Sequence, residues 1–201
     1  VLWLGTDGDG LWLIQPDTHF VFTTENGLRS NFVRDLSFDA HSRLWVATAG
    51  GGLHSVRHSL NDSAFSEIHV DWFGPEYGME AERINTLLAA QNGGLWYGSL
   101  FEGIGLIQKN EVVKTISKEN GLADNNVNAM CFDDFGNLWV GTVTNGLSRI
   151  QFRKGGETIQ NFTAPKDLAS NIVYQLVYSN GALWVGSEKG VEKITLNELG
   201  E

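Results

Sequence analysis

The chain has 201 residues, of which 42% are hydrophobic, 11% aromatic and 19% charged, and this balance is typical of a globular protein rather than a disordered one. No run of 18 apolar residues occurs, so the sequence contains no candidate membrane-spanning helix. The formal net charge of −10 disfavours nucleic acid and highly anionic polysaccharides as partners, and a single cysteine excludes an internal disulfide.

The predicted elements fall into five consecutive groups along the chain. Residues 1–24 and 171–196 each contain three short strands, whereas residues 31–73, 83–116 and 126–163 each contain four. In every four-strand group, two apolar runs separated by turn residues predict a β-hairpin, and a glycine-bearing turn and two further strands follow. Four short antiparallel strands at a period in the forties are the signature of a β-propeller blade, which makes the fold class all-β.

A Leu-Trp strand recurs in each group, at steps of 42, 51, 43 and 45 residues. The residue two places after each tryptophan is glycine or alanine and shares its face of the strand. A large ring beside nearly bare backbone suits sheets that stack face to face, so we assign a structural role to Trp3, Trp45, Trp96, Trp139 and Trp184. The segment 79–90, MEAERINTLLAA, also contains helix formers, but its place in the repeat predicts a strand.

A corner sequence connects the fourth strand of one group to the first strand of the next, as in ENGLRSN and ENGLADN. Its glycine stands where the chain reverses and tolerates a positive φ, and an asparagine four residues later can bond nearby backbone. Asp167 replaces the glycine in one copy and Glu82 replaces the asparagine in another. We predict a structural role for the corner residues Gly27, Gly78, Gly121, Asn31, Asn125 and Asn171.

Residues 27–53 and 121–147 share one pattern along their whole length. Both start with Gly-Leu, pass through polar residues and a hydrophobic strand to a turn, and end with Leu-Trp-Val, a small residue, Thr and a final Gly-Leu. This pattern resembles the two-component regulator propeller repeat, of which residues 78–106 and 167–191 are degraded copies. The resemblance implies an extracytoplasmic sensor domain of a bacterial membrane receptor, often a hybrid histidine kinase, that senses a ligand, often a glycan, without catalysis.

The resemblance also sets the expected context of the chain. We expect residues 1–201 to be a single propeller fragment, an arc of three whole and two incomplete blades from a larger ring of about seven, with a closed five-bladed ring as the alternative. The implied location is the periplasm or another extracytoplasmic space, within a membrane-anchored receptor. The expected partners are a small-molecule or oligosaccharide ligand and the remaining blades and output domains of the same receptor, and a receptor homodimer is compatible with this context.

Candidate ligand-binding residues lie in the connections from fourth to first strand and from second to third strand, which emerge at the same end of a blade. Aromatic rings cover the apolar face of a sugar, and carboxylates accept hydrogen bonds from its hydroxyl groups. The alternative is a packed loop in which Trp72 completes an outer strand. The candidates are Trp72, Tyr77, Glu80, Glu82, Phe101, Glu102 and Asn145.

The sequence predicts no catalytic residue, no cofactor and no metal ligand. Glu80 and Glu82 share a face and could form a glycosidase pair, but acidic residues are common in an acidic protein. DDFGN, 133–137, resembles a calcium loop or an Asp box but lacks EF-hand spacing, so a hairpin turn in which aspartate caps its own backbone is preferred. His54 and His58 are four residues apart but lie on a strand and its exit rather than on a helix.

Three functions are compatible with these features. The first is a non-enzymatic sensor propeller whose ligand shifts a receptor between two states. The second is a propeller enzyme of the streptogramin-lyase type, which would need a histidine and acidic residues converging with a metal. The third is a protein-interaction scaffold that uses the acidic surface.

Overall fold

The computed structural model describes residues 1–58, 68–90 and 92–195. This part of the chain forms eighteen strands in five antiparallel sheets, together with two single-turn 3-10 helices at Pro75–Tyr77 and Lys118–Asn120. No helix in these ranges is long and apolar enough to cross a membrane. The fold is therefore all-β, as the sequence predicts.

Strands that are consecutive in the sequence are neighbours in every sheet, so each sheet is a meander. Sheet 1 contains β1 (Leu2–Gly5), β2 (Leu11–Ile14) and β3 (His19–Phe22), and sheet 5 contains β16 (Val173–Ser179), β17 (Ala182–Ser187) and β18 (Gly190–Thr195). Sheet 2 contains β4 (Val33–Phe38), β5 (Leu44–Thr48), β6 (Gly52–His58) and β7 (Ile68–Phe73). Sheet 3 contains β8 (Ile84–Ala89), β9 (Leu95–Ser99), β10 (Ile104–Gln108) and β11 (Glu111–Ile116). Sheet 4 contains β12 (Val127–Phe132), β13 (Leu138–Thr142), β14 (Leu147–Arg153) and β15 (Gly156–Phe162).

The segment with competing helix and strand signals forms a strand. β8 pairs in sheet 3, and its apolar residues Ile84 and Leu87 are buried in a hydrophobic cluster with Trp45. The strand prediction for this segment is confirmed. The strand forms because the packing of this cluster outweighs the local helix propensity. The predicted group 31–73 includes residues 59–67, the group 83–116 includes residue 91 and the group 171–196 includes residue 196, and these residues lie outside the described ranges.

The chain divides into two compact units, one of Val1–Tyr97 with Gly105–Lys114 and one of Gly98–Ile104 with Thr115–Glu201. The first unit contains sheets 1 and 2 and most of sheet 3, and the second contains sheets 4 and 5. Within the first unit β4 lies against β8, and within the second β12 lies against β16, so the first strands of successive sheets are in contact. This is how neighbouring propeller blades stack.

Every residue of the Leu-Trp strands β5, β9 and β13 is buried, whereas Trp3 in β1 is half-buried and Trp184 in β17 is 41% exposed. A Cβ added to Gly5 would lie 2.5 Å from Val33 Cγ1, and one added to Gly141 would lie 2.6 Å from Val173 Cγ1. The bare position beside the tryptophan therefore receives a valine from the first strand of the next sheet. The sequence analysis paired the tryptophan ring with this bare backbone for stacking of the sheets, and it did not identify the valine.

A buried aspartate closes the first hairpin of sheet 4 and holds the tryptophan of that sheet. Asp133 Oδ1 accepts hydrogen bonds from the backbone N–H groups of Phe135 (3.0 Å) and Asn137 (2.8 Å). Its Oδ2 accepts from Asn137 Nδ2 (2.8 Å) and Trp139 Nε1 (2.9 Å). We call this arrangement the aspartate turn, and the hairpin of sheet 2 repeats it.

In sheet 2 the aspartate is Asp39. Its Oδ1 accepts from the backbone N–H groups of His41 (2.9 Å) and Arg43 (3.0 Å), and its Oδ2 accepts from Arg43 Nε (2.9 Å) and Trp45 Nε1 (3.0 Å). Burial raises the pKa of Asp39, but the hydrogen bonds from Trp45, Arg43 and His41 outweigh burial and hold that pKa below its ordinary value. Asp39 is therefore ionised and fully occupied within its own turn.

Candidate functional site

The two ends of each sheet carry different connections, counted in the four-strand order of sheets 2 to 4, in which β1 of sheet 1 corresponds to a second strand. The corner end carries the turn from second to third strand and the connection that leads into the first strand. The hairpin end carries the turns from first to second and from third to fourth strand. The residues that the sequence nominates for ligand binding lie at corner ends, and a cleft lies at the hairpin end of sheets 2 and 3.

A repeated hydroxyl bond shapes the turn at the corner end. The threonine or serine that ends the Leu-Trp strand donates its hydroxyl to the carbonyl oxygen of the glycine that closes the turn. The distances are 2.8 Å for Thr6 and Gly10, 2.9 Å for Thr48 and Gly52, 3.0 Å for Ser99 and Gly103, and 2.9 Å for Thr142 and Gly146. The recurring Thr or Ser of the Leu-Trp pattern was the available signal for this bond, and the sequence reasoning missed it.

The corner asparagines tie two connections together at each corner end. Their side-chain oxygens accept backbone N–H bonds seven residues upstream, at 2.9 Å for Asn31, 2.7 Å for Asn125 and 2.7 Å for Asn171. Their carbonyl oxygens accept N–H bonds from the glycines that close the turns, at 3.0 Å from Gly10, 2.9 Å from Gly103 and 2.9 Å from Gly146. Glu82, which replaces the asparagine in one corner, makes the bond to the turn: its backbone carbonyl oxygen accepts from the N–H of Gly52 at 2.7 Å.

One register position of the third strand accepts a hydrogen bond from the corner in sheets 2, 4 and 5, through a different side chain in each of them. The backbone N–H of Arg29 donates to His54 Nε2 (3.0 Å), that of Ala123 to Ser148 Oγ (2.9 Å), and that of Ala169 to Glu192 Oε2 (3.1 Å). We call this position the acceptor slot. Gly105 occupies it in sheet 3, where Tyr97 fills the space that a side chain would need.

His54 is neutral in its slot. Burial chiefly, and the nearby charge of Arg29 secondarily, lower the pKa of His54 to about 4. Its Nδ1 is buried without a hydrogen-bond partner among the described residues. A neutral imidazole that accepts a backbone N–H has a structural role in the corner.

No group of three or more His, Cys, Asp or Glu side chains within the described ranges could hold a metal ion.

Four of the candidate ligand residues belong to the first unit. Trp72 is 36% exposed, and the guanidinium of Arg29 lies 3.7 Å from the centre of its ring. Tyr77 is 38% exposed and stacks on Phe73 with ring centres 4.6 Å apart. Trp72 and Glu82 flank the same turn, because a Cβ on Gly52 would lie 3.5 Å from Trp72 Nε1 and 3.9 Å from Glu82 Cα. Glu80 and Glu82 are both exposed.

The other three candidates belong to the second unit. Asn145 donates through Nδ2 to Asp124 Oδ2 (2.8 Å), and the Thr144 hydroxyl donates to the same oxygen. Burial raises the pKa of Asp124, but these bonds and the backbone N–H of Asn126 lower it below its ordinary value overall. Asn145 is thus engaged within the protein. Glu102 is exposed, and its backbone N–H donates to Ser99 Oγ (3.0 Å).

Phe101 has the most unusual geometry of the candidates. Its side chain is 59% exposed and its backbone has a φ of +95°, a region that bulky residues seldom occupy. The corresponding turns of sheets 1 and 2 have glycine at this place, Gly8 with a φ of +129° and Gly50 with a φ of +93°. A phenylalanine therefore stands where sister turns use glycine, and its ring points to solvent rather than into the core.

The cleft at the hairpin end lies wholly within the first unit and has a volume of about 660 Å³. The aspartate turn of sheet 2 forms one side, and the hairpin and the β10–β11 turn of sheet 3 form the other. None of the sequence-nominated ligand residues lines it. The lining residues include Arg43, Asn92, Gln108, Lys109 and Asn110.

A comparison with known families matches the first two strands of sheet 4 and the corner before them. Residues 121–144 match the family described as two component regulator propeller, and this stretch covers the corner, β12 and β13. Residues 121–144 therefore have the pattern of one two component regulator propeller repeat. The resemblance inferred from the sequence is thereby confirmed. A search of curated protein sequences gave no match.

Solved structures with a similar fold come from several kinds of protein. The extracellular domain of a protein described as a hybrid two component system from B. thetaiotaomicron is 20% identical, with a TM-score of 0.73 over 96% of this chain and 25% of that one. PorZ, a surface component of the type-IX secretion system of Porphyromonas gingivalis, is 15% identical, with a TM-score of 0.65 over 96% of this chain and 30% of that one. Virginiamycin B lyase of Staphylococcus aureus is 16% identical, with a TM-score of 0.59 over 96% of this chain and 65% of that one.

These likenesses, together with one to the WD40 β-propeller domain of Doa1, establish the β-propeller fold, with three sheets of four strands and two of three. The chain spans about a quarter of the length of the two component system structure. Because the matched structures include an extracellular domain, a secretion component and an enzyme, the fold by itself does not select one function.

Proposed function

We propose that this chain is part of the extracytoplasmic sensor propeller of a bacterial two-component receptor, of the hybrid histidine kinase kind, and that it binds a ligand without catalysis. Two findings support this proposal: the two component regulator propeller repeat at residues 121–144, and the likeness to the extracellular domain of a hybrid two component system protein. In this proposal the ligand is a glycan or another small molecule with an apolar face, and it lies at a corner end.

Phe101 carries the ligand-binding part of the proposal. A non-glycine residue in the left-handed region costs about 1–2 kcal/mol. The ring regains little of this cost by burial, since 59% of the residue is exposed. The turns of sheets 1 and 2 have glycine at this place, and a strained phenylalanine there is best explained by a contact made outside the chain. An exposed ring is suited to stacking on a sugar face.

The test is Phe101→Gly, which gives the turn the residue found in sheets 1 and 2. A panel of mono- and oligosaccharides is screened by thermal shift, and binding of any hit is measured by calorimetry. We expect the variant to keep or raise the melting temperature, because the strain is relieved, and to lose at least about tenfold in affinity. Phe135→Ala is the matched control, because Phe135 is also exposed but lies in the hairpin of sheet 4. Equal affinity of wild type and Phe101→Gly for a bound glycan would contradict the assignment.

A lyase activity is the second candidate, favoured by the likeness to virginiamycin B lyase. That activity would need a base and acidic residues converging on the substrate. In the described part of the chain His54 is buried and serves the corner, and His19, His41 and His69 are exposed in three separate segments. Turnover of virginiamycin B by the purified protein, with no thermal shift from any glycan, would favour the lyase over the sensor.

A further inference from the structure

The cleft at the hairpin end of sheets 2 and 3 has an organised cation at its wall. Arg43 Nε is bound to Asp39 Oδ2 at 2.9 Å, and Arg43 Nη1 donates to Asn110 Oδ1 at 2.6 Å. The guanidinium carbon lies 4.2 Å from the centre of the Trp45 ring. Three contacts thus fix the position of the guanidinium, while 26% of the side chain is exposed. A preorganised arginine loses little conformational freedom when it binds a further group.

The local charge of the cleft is opposite to that of the protein. The carboxylate of Asp39 is occupied by four donors from its own turn, so it does not need a cation from solution. Lys109 adds a second cation at the exposed β10–β11 turn. Two cations against one internally satisfied carboxylate make this a locally positive surface in a chain of net charge −10. Such a surface attracts an anion.

The remaining lining defines the rest of the ligand. Beyond its bonds to Asp39 and Asn110, the Arg43 guanidinium retains N–H donors at Nη2 that suit a carboxylate. Amide side chains at Asn92, Gln108 and Asn110 provide donors and acceptors suited to hydroxyl groups. A volume of about 660 Å³ lies within the range of small-ligand sites. The net charge of the chain opposes a polyanion, so one negative charge per ligand is favoured.

We propose that this cleft binds a small polyhydroxylated carboxylate, such as a sugar acid, with its carboxylate on Arg43 and Lys109 and its hydroxyls on the amides. This site is separate from the one proposed at Phe101, which lies at a corner end of sheet 3, and it does not depend on the sensor function. Its residues come from hairpins that the Leu-Trp repeats place beside each other.

Sheet 4 supplies the variant that tests the site. Its aspartate turn has Asn137 at the place of Arg43, and Asn137 makes the same bonds to Asp133 through its backbone N–H and its side chain. Arg43→Asn therefore removes the cation and retains a side chain that this turn accommodates. Lys109→Asn removes the second cation, and asparagine suits the φ of +51° at this turn. Arg153→Asn is the control, because it removes one exposed positive charge in sheet 4.

The experiment is calorimetry on the full chain with glucuronate, glucose and acetate as probes, after circular dichroism has shown each variant to be folded. We expect glucuronate to bind at least about tenfold more tightly than glucose or acetate. Arg43→Asn and Lys109→Asn should each weaken glucuronate binding by about tenfold or more, which is the loss of one charge-assisted bond. Arg153→Asn should leave it unchanged.

Three results would overturn the proposal. The first is glucuronate that fails to bind or binds no better than glucose. The second is unchanged glucuronate affinity in folded Arg43→Asn and Lys109→Asn. The third is loss of glucuronate affinity in Phe101→Gly with retention in Arg43→Asn, which would place this ligand at the corner end instead.

Discussion

Replacement of Asp133 by alanine tests the aspartate turn directly. Asp133 is 3% exposed and accepts four hydrogen bonds at 2.8 to 3.0 Å. Two of the donors, the side chains of Asn137 and Trp139, are themselves buried, with exposed fractions of 6% and 0%. Alanine offers none of them an acceptor, so these two donors lose their partners inside the core of sheet 4.

The expected loss follows from those two donors. A buried donor left without a partner costs about 1–3 kcal/mol of unfolding free energy. The two backbone N–H groups of the turn can form hydrogen bonds with water instead, so their loss of the carboxylate costs less. We therefore expect Asp133→Ala to lower the free energy of unfolding by about 3–4 kcal/mol. This is a large fraction of the stability of a typical domain, which is about 5–15 kcal/mol.

The neighbouring residue provides the control. Asp134 has the same chemistry and is exposed, and its contact is a 3.3 Å bond from the Tyr178 hydroxyl. Asp134→Ala should change the free energy of unfolding by less than about 0.5 kcal/mol. Urea denaturation, followed by tryptophan fluorescence and circular dichroism, measures both variants. If the two alanine variants unfold within about 0.5 kcal/mol of each other, the buried carboxylate does not hold the turn and the reasoning is refuted.

Two further predictions concern packing and pH. Gly141→Ala should lower the free energy of unfolding by about 1–3 kcal/mol, because the new methyl group would lie 2.6 Å from Val173 Cγ1, whereas Gly155→Ala, which meets nothing within 4 Å, should have little effect. The lowered pKa of Asp39 means that its ionised form stabilises the folded state at pH values above the ordinary value of 3.8 and that this stabilisation is lost as pH falls through the folded-state pKa. The difference in unfolding free energy between wild type and Asp39→Asn should therefore be largest near neutral pH and shrink below about pH 3.8. A difference that grows on acidification would contradict the assigned bonds.

The sequence predicts the strands well because their signal is repeated. A single Leu-Trp strand is ambiguous, but five of them at similar steps fix the positions of their neighbours. This is why the repeat correctly outweighed helix propensity at residues 79–90. Patterning reports which face of a strand is buried, and the packing of sheets follows from it.

The details of the site were beyond sequence reasoning for physical reasons. The acceptor slot holds His54, Ser148 and Glu192, which share no chemistry except the ability to accept a hydrogen bond. The cleft depends on Arg43 and Asn110, which are 67 residues apart and meet only after two sheets have stacked. The sequence indicates Phe101 as a ligand residue because of its ring, but its left-handed backbone is set by the folded turn and is not encoded in the residue type.

The acceptor slot has a consequence for how such chains can diverge. The corners of sheets 2, 4 and 5 each donate one backbone N–H to this position, where an imidazole, an alcohol or a carboxylate accepts it. The repeats can therefore diverge in sequence at this position while the hydrogen bond to the corner is kept. A sequence comparison then matches one repeat, residues 121–144, although the other sheets are also antiparallel meanders.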